Sequence, residues 1–178
     1  MASTATNASG EFVVGASARA IIAATPETLW PWISDPTRHP LLAGSGEPQS
    51  ISVIGGHMAD VGVGTRFEAQ QAILGVVRYV SHSEVLNVEP NRRFHFRVEE
   101  RADWDFLLEP ADGGTRVTHR HRFRVPTAGM MGLITPLQRL RARQNAGNMV
   151  RTLNNLARLV GAPPPTSMQV NYEPPTLD

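Results

Sequence analysis

The sequence predicts an α+β protein in which one antiparallel sheet is covered by a long C-terminal helix. Two observations lead to this prediction. Between residues 50 and 125, short segments rich in β-branched and aromatic residues alternate with turn signals. Residues 130–160 then show helical spacing of apolar positions and end at Gly161 and a run of prolines. A chain of 178 residues is long enough for one domain with its own core.

The first predicted elements are a strand and a short helix. Residues 11–24 are rich in β-branched and small residues, which favours a strand. Thr25 is a suitable N-cap and is followed by a proline, which fits the first helical turn. Because the Asp35-Pro36 pair ends this run, the sequence predicts a helix over 26–34.

Six further strands are predicted before the long helix. The clearest alternation is in "RRFHFRV", where Phe94 and Phe96 share one face and His95 lies on the other. This pattern is typical of a sheet with one solvated face and one covered face. The six strands are predicted within "SISVIGG" (50–56), "GTRFEAQQAIL" (64–74), "VVRYVSHSEVL" (76–86), "RRFHFRVEE" (92–100), "WDFLLEP" (104–110) and "TRVTHRHRFRV" (115–125).

The long helix carries two apolar stripes that do not line up. At helical spacing, Leu133, Leu137 and Leu140 share one side, and the second stripe lies about 140° away. The second half is predicted as core. Either the helix bends near Gly147, or its first half faces a lid, an opening or a partner subunit. The second stripe contains Ala146, Val150, Leu153, Leu156, Ala157 and Val160.

The organisation predicted from these patterns is a single domain over 11–162 with flexible ends at 1–10 and 163–178, the latter rich in proline. The chain has no cysteine, so disulfides, thiolate metal sites and cysteine nucleophiles are excluded. No apolar run approaches the roughly 18 residues that span a bilayer, and the N-terminus shows no signal-peptide pattern. We therefore expect a soluble, cytoplasmic protein.

The order of these elements resembles the START-like or Bet v 1-like (SRPBCC) superfamily, in its polyketide cyclase/dehydratase-like branch. The resemblance implies a helix-grip fold: a curved antiparallel sheet of about seven strands wrapped around the long C-terminal helix, with a deep cavity for hydrophobic small molecules between them. The segments that carry it are "ATPETLWPWISDPTRHP", "GVGTRF", "VLNVEPNRRFHFRV", "WDFLLEPADGGTRVTHRHRF" and the closing helix.

Two histidines in "THRHRFRVP" are the main candidates for chemistry. On a strand, His119 and His121 share a face with Val117 and Phe123, whereas the intervening arginines lie on the other face. Because Val117 and Phe123 are apolar, we expect the histidines to face the covered side. There they act either as satisfied wall residues or in proton transfer, with Glu84 orienting an imidazole if it points inward.

Other uses of these residues are less favoured. His-x-His on a strand could supply two zinc ligands, but the remaining candidates, His82, Glu84 and His95, are distant in sequence. The arginines could form a nucleic-acid patch, but acidic residues on neighbouring strands favour cross-strand ion pairs. No Gly-x-Ser-x-Gly elbow or phosphate-binding loop occurs. We therefore predict no metal, no other cofactor and no nucleic-acid partner.

The predicted site combines this histidine pair with aromatic and apolar side chains around the implied cavity. Trp104 or Trp32 could stack on an aromatic ligand. Met130, Met131 and Ile134 lie where the family would place a cavity entrance. The predicted catalytic residues are His119, His121 and Glu84, and the predicted ligand-binding residues are Trp32, His39, Phe67, His82, Phe94, Phe96, Trp104, Phe106, Met130, Met131, Ile134 and Gln144.

The resulting hypothesis is a binder of a polyketide- or lipid-like molecule, with cyclisation or dehydration in a secondary-metabolite pathway as its optional catalytic part. Two alternatives stay open. One is a self-resistance protein that sequesters, or is consumed by, a reactive polyketide such as an enediyne. The other is a co-chaperone- or antitoxin-like interaction module, which predicts no deep cavity. We expect a monomer or weak homodimer without a membrane span.

Overall fold

The computed structural model describes residues 11–55, 61–73, 76–126 and 131–177 and contains one open antiparallel sheet. Its eight strands follow the order β2-β3-β4-β5-β6-β7-β1-β8, so β2 and β8 form the edges. With the long C-terminal helix, this architecture confirms the predicted helix-grip α+β fold. The strands are β1 (Glu11–Ile22), β2 (Pro48–Ile54), β3 (Arg66–Ile73), β4 (Val77–Glu89), β5 (Arg93–Val98), β6 (Ala102–Ala111), β7 (Gly114–Pro126) and β8 (Thr166–Leu177).

The first and the last helix fall where the sequence predicts them, whereas the 3-10 turn and the short helix after Pro36 were not predicted. The first is capped by Thr25, whose hydroxyl accepts a hydrogen bond from the Thr28 amide at 3.4 Å. In the described part of the chain, no helix combines the length and apolar character needed to cross a membrane. The helical elements are α1 (Pro26–Ile33), a 3-10 turn (Pro36–Arg38), α2 (His39–Leu42) and α3 (Met131–Leu159).

The core lies between α3 and the inner face of the sheet. Ala16, Ala18 and Ala20 on β1 are fully buried, and their small side chains leave room for α3 to lie close to the strand. Leu153 and Leu156 on α3 are also fully buried, which confirms that the second half of the helix is core.

The first half of α3 differs from the second. Leu140 is 64% exposed, and α3 continues through Gly147 without a break. The side chains of Leu133 and Leu137 lie outside the described residues. Within the described part, the first apolar stripe therefore does not join the core beneath the helix.

The prediction of a flexible tail over 163–178 is wrong, because most of this segment forms β8 along β1. Opposite Val14 the register shifts, so that two residues of β8, Pro174 and Pro175, face one residue of β1. Proline has no amide hydrogen, and a bulge accommodates it without losing the pairing on either side. The many prolines give this segment the composition of a mobile tail, and the strand forms because it pairs with a segment that is distant in sequence.

Ion pairs between strands cover the outer face of the sheet, as the sequence predicts. Arg93 of β5 bonds both oxygens of Asp105 on β6 at 3.0 Å. Arg97 bonds Asp103 at 2.6 and 3.1 Å, and Arg124 of β7 lies 3.5 Å from the same carboxylate. These charges lie on the face opposite the core.

Acid is expected to weaken this outer face. Burial raises the pKa of Asp103, but the Arg97 hydrogen bonds and the charges of Arg97 and Arg124 outweigh it and leave the pKa below the usual 3.8. A lowered folded-state pKa means that the stabilisation is present above the unfolded pKa and is lost as the pH falls through the folded pKa.

We expect Asp103→Asn to lower the free energy of unfolding by about 1–2 kcal/mol at neutral pH. On acidification, the free energy of unfolding of this variant should fall less than that of the parent chain, because the variant has no carboxylate to protonate at this position. Urea unfolding between neutral and strongly acid pH measures this, with Asp112→Asn in an exposed turn as the control. Parallel pH profiles for Asp103→Asn and the parent chain would contradict the prediction.

Candidate functional site: a cavity between the sheet and the long helix

A cavity of about 660 Å³ lies between the inner face of the sheet and α3. Strands β3 to β7 supply one wall, α3 supplies another, and α2 with the loop that follows it closes a side. Tyr79, Glu99 and Arg101 are the exposed members of the lining, so they mark the mouth.

Two aromatic pairs across β6 and β7 build the wall that carries the histidines. Phe106 lies opposite His119 in the register, and their rings stack with centroids 3.9 Å apart. Trp104 lies opposite His121, with centroids 4.3 Å apart. The period of two along β7 therefore turns both imidazoles toward the cavity and the intervening arginines outward.

His119 is a buried titratable group of this wall, at 5% exposure. Burial lowers its pKa well below the usual 6.5, and repulsion from the nearby His39 and His121 lowers it further. Its Nδ1 is buried and has no hydrogen-bond partner among the described residues. The ring is therefore neutral at pH 7 and retains unused hydrogen-bonding capacity.

His39, the first residue of α2, brings a third imidazole to the cavity. Its Nε2 donates to the Ile33 carbonyl at 2.8 Å, which places the proton of the neutral ring on that atom. Burial lowers the pKa of His39, against the opposing effects of this hydrogen bond and of Asp35. The ring packs against Phe96 and Phe106, with centroids 5.6 and 6.4 Å away.

Polar residues of α3 face the histidine wall across the cavity. The Asn145 amide nitrogen lies 3.3 Å from Nδ1 and 3.4 Å from Nε2 of His121. Asn148 and Thr152 lie on the same side of α3 and are also buried. These three residues were not predicted from the sequence. Their spacing at i, i+3 and i+7 places them on one side of the helix, between the two apolar stripes, and this spacing could have identified them.

The loop after α2 is joined to α3 by two hydrogen bonds at Gly44, which we call the Gly44 clasp, and it forms part of the cavity wall. The Gly44 amide donates to the Thr152 hydroxyl at 2.9 Å, and Arg151 Nε donates to the Gly44 carbonyl at 2.8 Å. A Cβ atom at Gly44 would lie 2.2 Å from the Asn148 carbonyl oxygen. Only glycine permits this approach between loop and helix.

Most of the predicted aromatic and histidine residues meet at this cavity. Two do not line it. Phe94 is fully buried in the core, where its ring lies 6.5 Å from that of Trp30 in α1. Trp32 lies under the guanidinium of Arg38, 5.0 Å from the ring centroid. The predicted residues that line the cavity are His39, Phe67, Phe96, Trp104, Phe106, His119 and His121.

Two predicted residues of β4 point away from the cavity. Glu84 lies 3.4 Å from Arg66, and His82 lies 3.3 Å from both Glu68 and Glu99. The structure thus contradicts an inward role for either, because the inward positions of this strand are those of its serines. Ser81 and Ser83 line the cavity.

The remaining predicted ligand contacts lie in α3 or directly before it. Gln144 is exposed and is not part of the cavity lining. Met130 lies outside the described residues, as do the side chains of Met131 and Ile134 within α3.

The histidine pair and the distant candidate metal ligands are separated by the sheet. His119 and His121 face the cavity, whereas His82 and Glu84 lie on the outer face. Among the described residues, no three His, Asp or Glu side chains come together in an arrangement suited to a metal ion.

A helix-grip domain with an aromatic cavity defines a class of proteins that hold hydrophobic ligands. The chain belongs to the family described as polyketide cyclase/dehydrase and lipid transport, whose model matches residues 14–161. No curated protein sequence matches the chain significantly.

Solved structures share this fold at low sequence identity. The di-domain ARO/CYC StfQ from the steffimycin biosynthetic pathway matches with a TM-score of 0.68 and 10% identity, over 84% of this chain and 51% of StfQ. Ara h 8.0201 matches at 0.60 and 17%, over 83% and 97%. The Polyketide_cyc-like protein Cgl2372 from Corynebacterium glutamicum matches at 0.58 and 21%, over 83% and 91%.

Proposed function

We propose that the cavity binds a polyketide-like small molecule and that His119 and His121 move protons on it in a cyclisation or dehydration of a secondary-metabolite pathway. The observation that carries the proposal is a pair of buried imidazoles on an aromatic wall, facing one cavity. The family description and the StfQ match support it. A lipid-like molecule is the alternative ligand for the same cavity.

The chemistry needs one group that takes a proton and one that gives it. A neutral imidazole accepts a proton from a carbon beside a carbonyl group. The second imidazole, when protonated, donates to the oxygen that becomes a hydroxyl or leaves as water. The lowered pKa of His119 leaves its ring neutral at pH 7, which is the form that accepts a proton, and the Asn145 amide nitrogen lies 3.3 Å from the His121 ring.

The interaction-module alternative predicts no deep cavity, and a volume of about 660 Å³ argues against it. The self-resistance alternative uses the same cavity without turnover. It differs in its outcome where the protein is consumed by its reactive ligand rather than only sequestering it, because the chain is then cleaved or modified. The intact mass of the chain after incubation separates these two possibilities.

The test combines native mass spectrometry of co-purified ligand with variants His119→Gln and His121→Gln. For a catalyst, we expect both variants to retain the ligand within a few-fold and to lose turnover by about 10²–10⁴-fold. Trp104→Ala is the contrasting variant, since it removes stacking and should weaken binding itself. Unchanged turnover in both histidine variants would rule out the proton-transfer role, and absence of any bound small molecule would rule out the proposal.

A further inference from the structure

The end of the β3–β4 hairpin is apolar, exposed and next to the cavity mouth. Val76, Val77, Tyr79 and Val80 are 79%, 60%, 40% and 42% exposed. We call these four residues the apolar hairpin end. Tyr79 also lines the cavity, so this surface is continuous with the mouth. A cluster of exposed large apolar side chains on one hairpin marks an interaction site.

The shape of the apolar hairpin end favours a fluid partner. Side chains alternate along β4, so Val77 and Tyr79 lie on the cavity side and Val80 on the opposite side, yet all are exposed. A flat contact with a folded protein would cover only one of these two faces. The apolar interior of a bilayer surrounds both faces of an inserted tip.

The charge around this surface favours an anionic lipid headgroup. From Ala69 to Ser83 the sequence contains no acidic residue, and Arg78 lies exposed within the apolar hairpin end. Glu99 at the mouth is an exposed carboxylate that accepts a hydrogen bond from the His82 amide at 2.7 Å, and the exposed Arg101 brings a second cation to the same mouth. A cation beside exposed apolar side chains matches the interfacial region of an anionic membrane.

We propose that the apolar hairpin end docks this protein peripherally on anionic lipid surfaces and places the cavity mouth against the bilayer. A hydrophobic ligand then passes between membrane and cavity without crossing bulk water. This surface is separate from the histidine wall, and its docking requires neither a bound ligand nor catalysis.

Vesicle flotation with the full chain tests the proposal. We expect the protein to float with vesicles of phosphatidylcholine and phosphatidylglycerol, and less with phosphatidylcholine alone or at high salt. Val77→Ser with Val80→Ser should reduce flotation by roughly tenfold, because both replace exposed apolar surface by polar groups. Arg78→Glu should remove the preference for the anionic lipid.

The matched controls are Leu41→Ser and Val170→Ser, which make the same kind of change at exposed positions elsewhere. They should float like the parent chain, and circular dichroism checks that every variant is folded. Flotation that is absent in the parent, or equal in the hairpin variant, overturns the proposal. So does a concentration-dependent dimer that the hairpin substitutions dissociate, since a second copy would then be the occupant.

Discussion

Phe94→Ala is expected to lower the free energy of unfolding by about 3–5 kcal/mol. Phe94 is fully buried, and its ring centroid lies 6.5, 6.0 and 5.8 Å from those of Trp30, His39 and Phe96. Truncation removes these contacts and leaves a void beneath the histidine wall. Because the neighbours come from different elements, they cannot close the void by a local shift.

Phe96→Ala is the informative comparison for this prediction. Its ring lines the cavity, so one side already lacks protein neighbours and fewer contacts are lost. We expect a smaller loss of stability and a larger loss of ligand affinity than for Phe94→Ala. Urea unfolding followed by tryptophan fluorescence, with ligand retention by native mass spectrometry, measures both. Equal stability losses would contradict the placement of Phe94 outside the cavity.

Gly44→Ala is expected to lower the free energy of unfolding by about 2–4 kcal/mol. The new methyl group would lie 2.2 Å from the Asn148 carbonyl oxygen and 2.5 Å from Arg151 Cβ. The loop must then move away from α3. This weakens the hydrogen bonds that join Gly44 to Thr152 and Arg151. Since this clasp forms a cavity wall, ligand retention should fall together with stability.

Gly147→Ala provides a control with the same chemical change. Gly147 lies inside α3, and a Cβ atom there would meet nothing within 4 Å. Alanine favours the helix, so we expect a gain of roughly 0.5–1 kcal/mol. Opposite signs for the two substitutions would separate the clash at Gly44 from a general effect of glycine replacement. A loss of stability for Gly147→Ala and none for Gly44→Ala would contradict the close contact between the loop and α3.

The fold was predictable because most of its signals are local. Alternation in β5 and β7 gives the sidedness of Phe94, Phe96, His119 and His121 directly from the spacing. In the middle of β4 the inward residues are Ser81 and Ser83, whose polarity is like that of the outward residues beside them. The alternation of apolar and polar residues is interrupted at this point, and His82 and Glu84 were included as candidates although they point outward.

The parts that the sequence did not predict depend on long-range contacts. Asn145, Asn148 and Thr152 have the polarity of a solvent-facing helix, and only the position of α3 over the sheet makes them buried. β8 follows three consecutive prolines and contains two more, a composition typical of mobile ends. Its strand conformation comes from pairing with β1, about 150 residues earlier in the chain.

The bulge at Pro174 and Pro175 has a consequence for the behaviour of the protein at high concentration. β8 is an edge strand, and an edge with regularly spaced amide donors is a template onto which other molecules add their own strands. Two adjacent residues without amide hydrogens interrupt that template. The same prolines that conceal β8 in the sequence thus protect the open end of the sheet against aggregation.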